Sequence, residues 1–372
     1  MKFTIQKDQI LDVLSKVQGL TSRKSNLAIT ENILIKATDT GINLMATDLE
    51  TGMEGYYPAK IEKPGAVAIS ARKFFEIVRE FPKQDIAVNE VDNRWIEIGN
   101  DTIQYHIVGM DPDDFPDNPS IEDVTFFELS SAPFKKMIEK SIVISGAGDD
   151  KRAHINGALF EKIEDGDKKK VRIVSTDGSR LSKCDYTFDQ EIDLPETGKI
   201  IIPKKGLNEV AKFLSSEGVV SLGIMNNYFI VKKENETIII RLLEGEFPEY
   251  TDIVKKDDAY NIIVDRHQIT MLLKRMSILS SENYKGAIFN FNQDRLLVSA
   301  TNPEIGESKE DMEIEFSRER ISAAFNPKYI IEILNAIESE KIILNIHTED
   351  KPCIIKGVDD DSYLSVIMPM RI

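Results

Sequence analysis

The stretch VRIVSTDGSRLSKC, residues 171–184, predicts the structural unit from which this chain is built. β-Branched and apolar residues run up to Ser175, Asp177-Gly178 supplies a tight turn, and Leu181 starts the return run. Related stretches occur at 41–54 (GINLMATDLETGME) and 296–307 (LLVSATNPEIGE). In each copy an apolar run ends in Ala or Ser, then Thr, then Asp or Asn, and the chain turns back. The pattern predicts three equivalent β-hairpins.

The sequence around these hairpins also repeats, in the order helix, strands, helix and three strands. Apolar spacing predicts helices over residues 7–17, 71–81, 134–144, 205–214, 268–279 and 328–337. Segments rich in acidic residues and proline, at 109–119 and 245–250, separate the repeats. We therefore expect three similar α+β domains, each with two helices and about eight strands in antiparallel sheets. The expected boundaries are 1–124, 125–254 and 255–372.

Composition excludes several classes of protein. The 372 residues are 41% hydrophobic, which is too apolar for a disordered chain. No apolar run reaches the length of a membrane span, and the first residues, MKFTIQKDQI, lack the apolar core of a signal peptide. Cys184 and Cys353 are too few for a disulfide framework or a zinc cluster. These features favour a cytoplasmic protein.

The charge is unevenly distributed along the chain. Counted with their flanking residues, over 7–17, 71–83, 134–144, 203–214, 266–279 and 326–337, the helical segments carry a net charge of +9, so with −16 overall the remaining residues carry −25. Solvated helix faces are one explanation of this bias. The other is a basic inner surface that meets a polyanion, while acidic surface elsewhere repels nucleic acid.

No residue pattern indicates a catalytic centre, a metal site or a cofactor. The four histidines are scattered, and the glycines at 146 and 148 lack the spacing of a phosphate-binding loop. Acidic clusters at 111–117 and 359–361 have ligands suited to Mg²⁺, but solvated turns explain them better. Two alternatives stay open at this point: a metal-dependent nuclease that uses these acidic loops, and a plain three-domain interaction scaffold.

Ten short segments are distributed along the whole chain: MKFTI (1–5), ATDLE (46–50), ARKFFEI (71–77), DFP (114–116), STDGSRL (175–181), PKKG (203–206), EFPEY (246–250), ILSSENYKG (278–286), FNPKYIIEIL (325–334) and VIMPMRI (366–372). In their order and spacing these segments resemble the bacterial sliding clamp family, the β subunit of the replicative DNA polymerase. The resemblance covers the whole chain.

The resemblance implies a non-catalytic processivity factor. In this family two protomers join head to tail into a ring, with helices lining the pore and sheets outside. The implied partners are double-stranded DNA without regard to sequence, the replicative DNA polymerase, the clamp loader, other clamp-binding repair and replication proteins, and a second copy of the chain. No cofactor and no membrane partner are implied.

The resemblance also implies three sets of site residues. A groove for partner peptides between the second and third domains matches Ile155, Thr176, Gly178, Arg180, Leu181, Pro248, Ile253, Asn326, Tyr329, Val366, Met368, Pro369, Met370 and Arg371. We expect Leu181 and Met368 in its apolar walls and Arg180 and Arg371 at its polar rim. The DNA-facing set is Lys24, Arg72, Lys73, Arg79, Lys136, Lys140, Lys204, Lys205, Arg266 and Lys274. The protomer contact set is Tyr105, Ile107, Ile278 and Leu279.

Four positions depart from the family pattern. Ala153 and His154 stand where relatives often have aromatic residues beside the groove. Asp149 and Asp150 place negative charge in a loop that relatives bring near DNA. Lys24 keeps the positive charge expected there.

Overall fold

A computed structural model describes residues 1–21, 27–82, 84–121, 123–144, 152–165, 168–188, 199–255, 260–281 and 285–371. Across these ranges the chain is α+β, and every strand pair is antiparallel. The helices are α1 Lys7–Thr21, α2 Ala71–Glu80, α3 Ser131–Ile142, α4 Ala153–Asn156, α5 Lys204–Phe213, α6 Arg266–Met276 and α7 Pro327–Ala336.

The strands follow the three predicted repeats. In the first they are β1 Lys2–Gln6, β2 Asn32–Ala37, β3 Gly41–Thr47, β4 Thr51–Pro58, β5 Lys60–Lys63, β6 Gly65–Ser70, β7 Asp85–Glu90, β8 Trp95–Gly99 and β9 Gln104–Val108. In the second they are β10 Phe126–Ser130, β11 Gly157–Asp165, β12 Lys168–Thr176, β13 Arg180–Thr187, β14 Ile200–Pro203, β15 Val219–Met225, β16 Tyr228–Lys233 and β17 Glu236–Arg241. In the third they are β18 Tyr260–Asp265, β19 Ala287–Asn292, β20 Arg295–Asn302, β21 Gly306–Glu313, β22 Ile321–Phe325, β23 Lys341–Ile346, β24 Cys353–Gly357 and β25 Tyr363–Ile367.

Each of the six long helices begins one or two residues after the end of a strand, as β6 leads into α2. Side-chain caps make this change of conformation abrupt. Ser70 accepts a hydrogen bond from the amide of Lys73, Asp265 caps α6, and Asn326 caps α7. Amides in the first turn of a helix have no partner within the helix, and the Asn326 side chain accepts a hydrogen bond from one of them. Asn326 therefore has a structural role at the start of α7.

The described residues form two compact units, each described here by itself. The first contains residues 1–135 and 205–242, and the second contains the described parts of 136–204 and 243–371. The first unit has a five-stranded sheet in the order β5-β1-β7-β8-β9 and an eight-stranded sheet in the order β10-β15-β16-β17-β4-β3-β2-β6. In the larger sheet β17 of the second repeat pairs with β4 of the first, so neighbouring repeats share one sheet. The sequence analysis did not anticipate this sharing, and the exact domain boundaries stay a prediction.

The second unit repeats this arrangement. Its eight-stranded sheet has the order β14-β11-β12-β13-β25-β24-β23-β18, and its four-stranded sheet has the order β21-β20-β19-β22. Here β13 of the second repeat pairs with β25 of the third. Helices α6 and α7 pack against each other in this unit, as α1 and α2 do in the first.

A partly buried ion pair reinforces the shared sheet of the first unit. The Lys16 ammonium lies 2.9 Å from the Glu236 carboxylate, which also accepts a 2.7 Å hydrogen bond from the Tyr57 hydroxyl. A side chain at Gly55 would overlap that hydroxyl, so glycine leaves the space that Tyr57 needs. Burial lowers the pKa of Lys16, but hydrogen bonds to Asp12 and Glu236 outweigh it and the pKa is raised. The contact therefore holds α1 against β17 as a charged pair.

The turns of the first two predicted hairpins have the same hydrogen bonds. The hydroxyls of Thr47 and Thr176 each donate to the carbonyl four residues later and accept from the amide two residues later. Asp48 and Asp177, the next residues, accept from the amides two and three residues on. The shared Thr-Asp dipeptide thus specifies one turn geometry through its side chains.

Both cysteines are structural. Cys184 is 3% exposed and Cys353 is 4% exposed. Burial is the main cause that raises the pKa of each thiol, in both cases to about 12. Neither thiol is therefore ionised at neutral pH.

The turn geometry generates a stability prediction. The residue two positions after the threonine has a positive φ in both turns, +76° at Leu49 and +89° at Gly178. At such a positive φ, a residue with a Cβ destabilises the folded chain by roughly 1 kcal/mol, and glycine does not. We expect Leu49→Gly to raise the thermal unfolding midpoint and Gly178→Ala to lower it, measured by circular dichroism. Nothing lies within 4 Å of a Cβ added at Gly178, so backbone strain alone decides the second result. Shifts of the same sign in the two variants would contradict this account.

Candidate functional site

The hairpin of β12 and β13 presents Arg180 at its turn. Arg180 is only 4% exposed, and its guanidinium lies 4.0 Å from the centre of the Tyr329 ring. It also pairs with the carboxylates of Asp177 at 3.0 Å and Glu332 at 2.6 Å. Arg180 is thus buried and paired within the chain, and its predicted place at the polar rim of the groove stays a prediction. Its stacking holds the Tyr329 ring in place.

The floor beneath Arg180 is apolar. Leu181 lies opposite Val366 in the pairing of β13 with β25, and both belong to a buried cluster that includes Leu159 and Val174. Leu181 is 6% exposed, so it lies in the apolar floor of the candidate groove, and its contact with a partner peptide stays a prediction.

A short segment after β17 supplies one side of the groove. Phe247 and Tyr250 insert into the same apolar cluster, while the predicted groove residues Pro248 and Ile253 stay exposed. Ile253 lies one turn further on, where its amide donates to the carbonyl of Tyr250 at 3.0 Å. The two buried aromatic rings thus anchor the segment that presents the two exposed residues.

A polar network fixes the Tyr250 side chain. Its hydroxyl donates to Glu161 and accepts a 3.1 Å hydrogen bond from Arg172, which also forms two bonds to Asp185. Burial raises the pKa of Tyr250, and the hydrogen bond to Glu161 raises it further. Burial opposes the charge on Asp185, but bonds from Arg172 and Lys183 outweigh it and lower the pKa of that carboxyl. The network therefore keeps its charges at neutral pH.

The C-terminal segment supplies another side. The amide of Met368 donates to Ser179 at 2.8 Å, and the amide of Met370 donates to Ala324 at 2.7 Å. Residues Met368, Pro369, Met370 and Arg371 line a cavity of about 700 Å³ against β22. Met368 is 41% exposed, as a groove wall requires.

The remaining predicted groove residues lie around these elements, all in the second unit. Tyr329 stands on the first turn of α7 behind the Asn326 cap. Ile155 is buried on α4, and its carbonyl accepts a 2.8 Å hydrogen bond from Lys204. The same ammonium reaches the carbonyl of Thr176 at 3.2 Å. Contacts among the described residues thus connect α4, the hairpin turn, α7 and the C-terminal segment.

The sequence analysis missed several residues that build this site. Phe247 and Tyr250 were treated only as part of a linker, although two aromatic residues in a polar segment were a usable signal. Glu332, which pairs with Arg180, was not assigned to the site either. His154, a departure from the family pattern, packs edge-on against the Phe247 ring at 6.4 Å between centroids. The imidazole ring of His154 therefore makes an aromatic contact at a position where the family pattern often has an aromatic residue.

Five predicted DNA-facing residues are well exposed on helices: Arg72, Lys73, Arg79, Lys136 and Lys274. Arg72 and Lys73 on α2 have exposed side chains and share Glu76 at 2.9 Å. Arg79 pairs with Glu80 in the same way, and Lys274 is exposed on α6. Hydrogen bonds from Lys73 and Arg72 lower the pKa of Glu76. Such exposed pairs contribute little stability, so these cations can exchange a carboxylate for another anion.

Lys136 pairs with Glu338 at 3.1 Å, and both side chains are exposed. The other described basic residues of this set are less exposed. Lys140 pairs with Asp360 at 2.7 Å, and Lys205 pairs with Asp48. The Arg266 guanidinium donates to the carbonyls of Ser339 and Leu334. Lys24, like Asp149 and Asp150, lies outside the described residues.

Lys204 is the correction within the DNA-facing set. Its ammonium points at the carbonyls of Ile155 and Thr176 and not at solvent. Burial is the main cause that lowers its pKa, to about 8, with Arg180 lowering it further and Asp177 opposing. The sequence showed a lysine at a helix start but not which carbonyls lie within its reach.

The four predicted protomer-contact residues are at least partly accessible. Tyr105 on the edge strand β9 is 42% exposed, and Ile107 on the same strand is half-buried. Helix α6 ends at Met276, earlier than predicted, and a 3₁₀ turn over Ser277–Leu279 follows. Ile278 in this turn is 74% exposed. Such an exposed isoleucine suits a protein contact.

The described residues also bear on metal binding and on membrane-spanning helices. Across the residues with described positions, no group of three or more His, Cys, Asp or Glu side chains is placed to hold a metal ion. Asp360 is instead bound to Lys140 and Ser362, and Asp111 caps a turn and pairs with Arg94. Of the helices in these ranges, none has both the length and the apolar character to cross a membrane.

Three family models match the chain in succession. They describe the N-terminal, central and C-terminal domains of the DNA polymerase III beta subunit, over residues 1–119, 128–249 and 252–371. A beta sliding clamp from Chlamydia pneumoniae is 28% identical, covering 100% of this chain and 99% of the relative. The crystal structure of the DNA polymerase sliding clamp from Bacillus subtilis is 25% identical with a TM-score of 0.90, covering 100% of this chain and 99% of that one. The DNA polymerase III subunit beta from Pseudomonas aeruginosa also has 25% identity and a TM-score of 0.90, with both chains fully covered. This chain belongs to the DNA polymerase III beta subunit family, the bacterial sliding clamps.

Proposed function

We propose that this protein is a DNA sliding clamp, a non-catalytic processivity factor that encircles duplex DNA and tethers the replicative polymerase. The observation that carries the proposal is the succession of three family domains over the whole chain. Relatives matched from end to end are named as clamps. The clamp loader, other replication and repair proteins and the cytoplasm as its location are part of the same proposal, as are domains 1–124, 125–254 and 255–372.

The tethering site is the groove of the second unit. Its rigid parts are the buried floor of Leu181 and Val366 and the Arg180–Tyr329 stack. Its adaptable part is Met368 and Met370, whose flexible side chains fit peptides of different sequence. A preformed floor with a flexible wall supports short linear motifs as the ligand.

The ring requires a head-to-tail contact between two copies of the chain. Strand β9 is an edge of its sheet, so part of its backbone is unpaired among the described residues. Tyr105 on this strand and Ile278 on the 3₁₀ turn supply exposed apolar surface. The two patches differ, so the contact is heterologous, and a closed rotation gives a ring.

The first prediction tests the ring. We expect Ile278→Ala with Leu279→Ala to give folded monomers, because the exposed apolar contact is lost while neither side chain is buried in the protomer. Sedimentation velocity measures the assembly and circular dichroism measures the fold. Val358→Ala, at an exposed apolar side chain outside the proposed contact, is the control and leaves a dimer. A dimer that persists in the double variant would show that the contact lies elsewhere.

The second prediction tests DNA binding without sequence recognition. Each phosphate contact contributes about −0.9 to the slope of log K against log salt. We expect Arg72→Gln, Lys73→Gln and Lys274→Gln together to flatten this slope and to weaken retention on nicked circular DNA. Lys2→Gln, at an exposed lysine of β1, is the matched control. Every variant, like the wild type, is expected to dissociate from linear DNA, because a sliding ring leaves the duplex at a free end. A strong preference for one base sequence would overturn the mechanism.

The third prediction tests the groove. Deletion of residues 368–372 removes the methionine wall but leaves β25 and the buried Val366. We expect a folded dimer that binds a polymerase-tail peptide at least roughly thirtyfold more weakly, which is about 2 kcal/mol. Fluorescence anisotropy with a labelled peptide measures the affinity. Ile263→Ala, at an exposed apolar residue of β18, serves as control. Equal affinities for the deleted and full chains would mean that the groove is misplaced.

A further inference from the structure

One side chain joins two elements of the candidate groove. The Lys204 ammonium donates to the Ile155 carbonyl at 2.8 Å and to the Thr176 carbonyl at 3.2 Å. Ile155 belongs to α4, and Thr176 ends β12 at the hairpin turn. Both residues belong to the predicted groove, whereas Lys204 opens α5. The lysine thus bridges two groove elements from a third.

We propose that Lys204 is a positioning residue of the groove, whose ammonium holds α4 and the Thr176 turn at the separation that a bound peptide requires. The proposal rests on the peptide-binding function proposed above. Lys204 acts through two backbone carbonyls and does not itself touch the peptide.

The surroundings of Lys204 oppose its charge. Two charged groups act on its ammonium: the Asp177 carboxylate on the turn raises the pKa of Lys204, and the Arg180 guanidinium on β13 lowers it. The other charged side chains of β12 and β13 include Arg172, Lys183 and Asp185, which bond within their own network. Arg180 is itself paired with Asp177 and with Glu332 of α7. Burial therefore has the largest effect on the pKa of Lys204 and lowers it to about 8. The smaller effects of Asp177, which raises the pKa, and of Arg180, which lowers it, oppose each other. The ammonium predominates below this pH and the neutral amine above it.

The two forms hold the carbonyls with different strength. An ammonium forms charge-assisted hydrogen bonds, which are roughly twice as strong as those of a neutral donor. Peptide affinity is therefore highest below pH 8 and falls as the pH rises through the pKa of Lys204.

Folding stability changes in the opposite direction. The pKa of Lys204 is lower in the folded chain than its ordinary 10.5. Between these values the unfolded chain binds more protons, so the contribution of Lys204 to the free energy of unfolding rises with pH. A purely structural role predicts only this rise. A fall in peptide affinity over the same range is the signature of a positioning role.

The experiment measures peptide affinity of the full-length protein at pH 7 and pH 9. The probe is a rhodamine-labelled polymerase-tail peptide without His, Cys or Lys and with a blocked N-terminus, followed by anisotropy. For the wild type we expect binding about threefold weaker at pH 9, since the charge assistance is lost. Lys204→Met is expected to bind about fivefold more weakly at pH 7 and to show no pH dependence. Lys36→Met, at an exposed lysine of β2, follows the wild type.

A second measurement avoids substitutions. The ε-carbon resonance of Lys204, followed by NMR against pH, gives its pKa with and without saturating peptide. Because linkage is reciprocal, peptide binding must raise this pKa. An unchanged pKa, or equal pH dependence in the wild type and Lys204→Met, overturns the proposal while peptide binding itself stands. A wild type that fails to bind the peptide at pH 7 overturns the groove function, and the positioning role with it.

Discussion

Backbone pairing between β13 and β25 is the interaction on which the candidate groove depends. It places Leu181 opposite Val366 and Arg180 opposite Ile367. Because side chains alternate between the faces of a strand, a slip of one residue would turn Leu181 away from its cluster. The same slip would displace Arg180 from Tyr329. Register in this one pair therefore determines both the apolar floor and the stacked arginine.

Partly buried ion pairs lie beside paired strands in both units. In the first unit Lys16 of α1 contacts Glu236 of β17, the strand that joins two repeats. In the second unit Arg172 and Asp185 lie opposite each other on β12 and β13 beside the groove. A slip of β17 against β4 would separate Glu236 from the Tyr57 hydroxyl, and a slip within the β12–β13 hairpin would separate Arg172 from Asp185. These contacts therefore favour a single register in each of these two strand pairs.

Helices and hairpins were predictable because their signals are local. The apolar spacing of α2 and the Thr-Asp turn of the opening stretch depend only on neighbours in the chain. The third hairpin was predicted only as far as residue 307, and the full length of its return strand β21 was not, because the sequence GESKEDME is charged and lacks apolar alternation. The sharing of sheets between repeats was missed because edge pairing is a long-range property. Lys204 was misplaced for the same reason, since its partners Ile155 and Thr176 are distant in sequence.

The two cysteines have a practical consequence. Maleimides and similar reagents attack the thiolate, and burial keeps Cys184 and Cys353 protonated at neutral pH. A cysteine introduced at an exposed position, such as Ile305, would then be the preferred site of reaction. The native chain thus already behaves as a cysteine-free background for attaching a single fluorophore or spin label. Distances between labels on two protomers can be followed over time without first altering the protein interior.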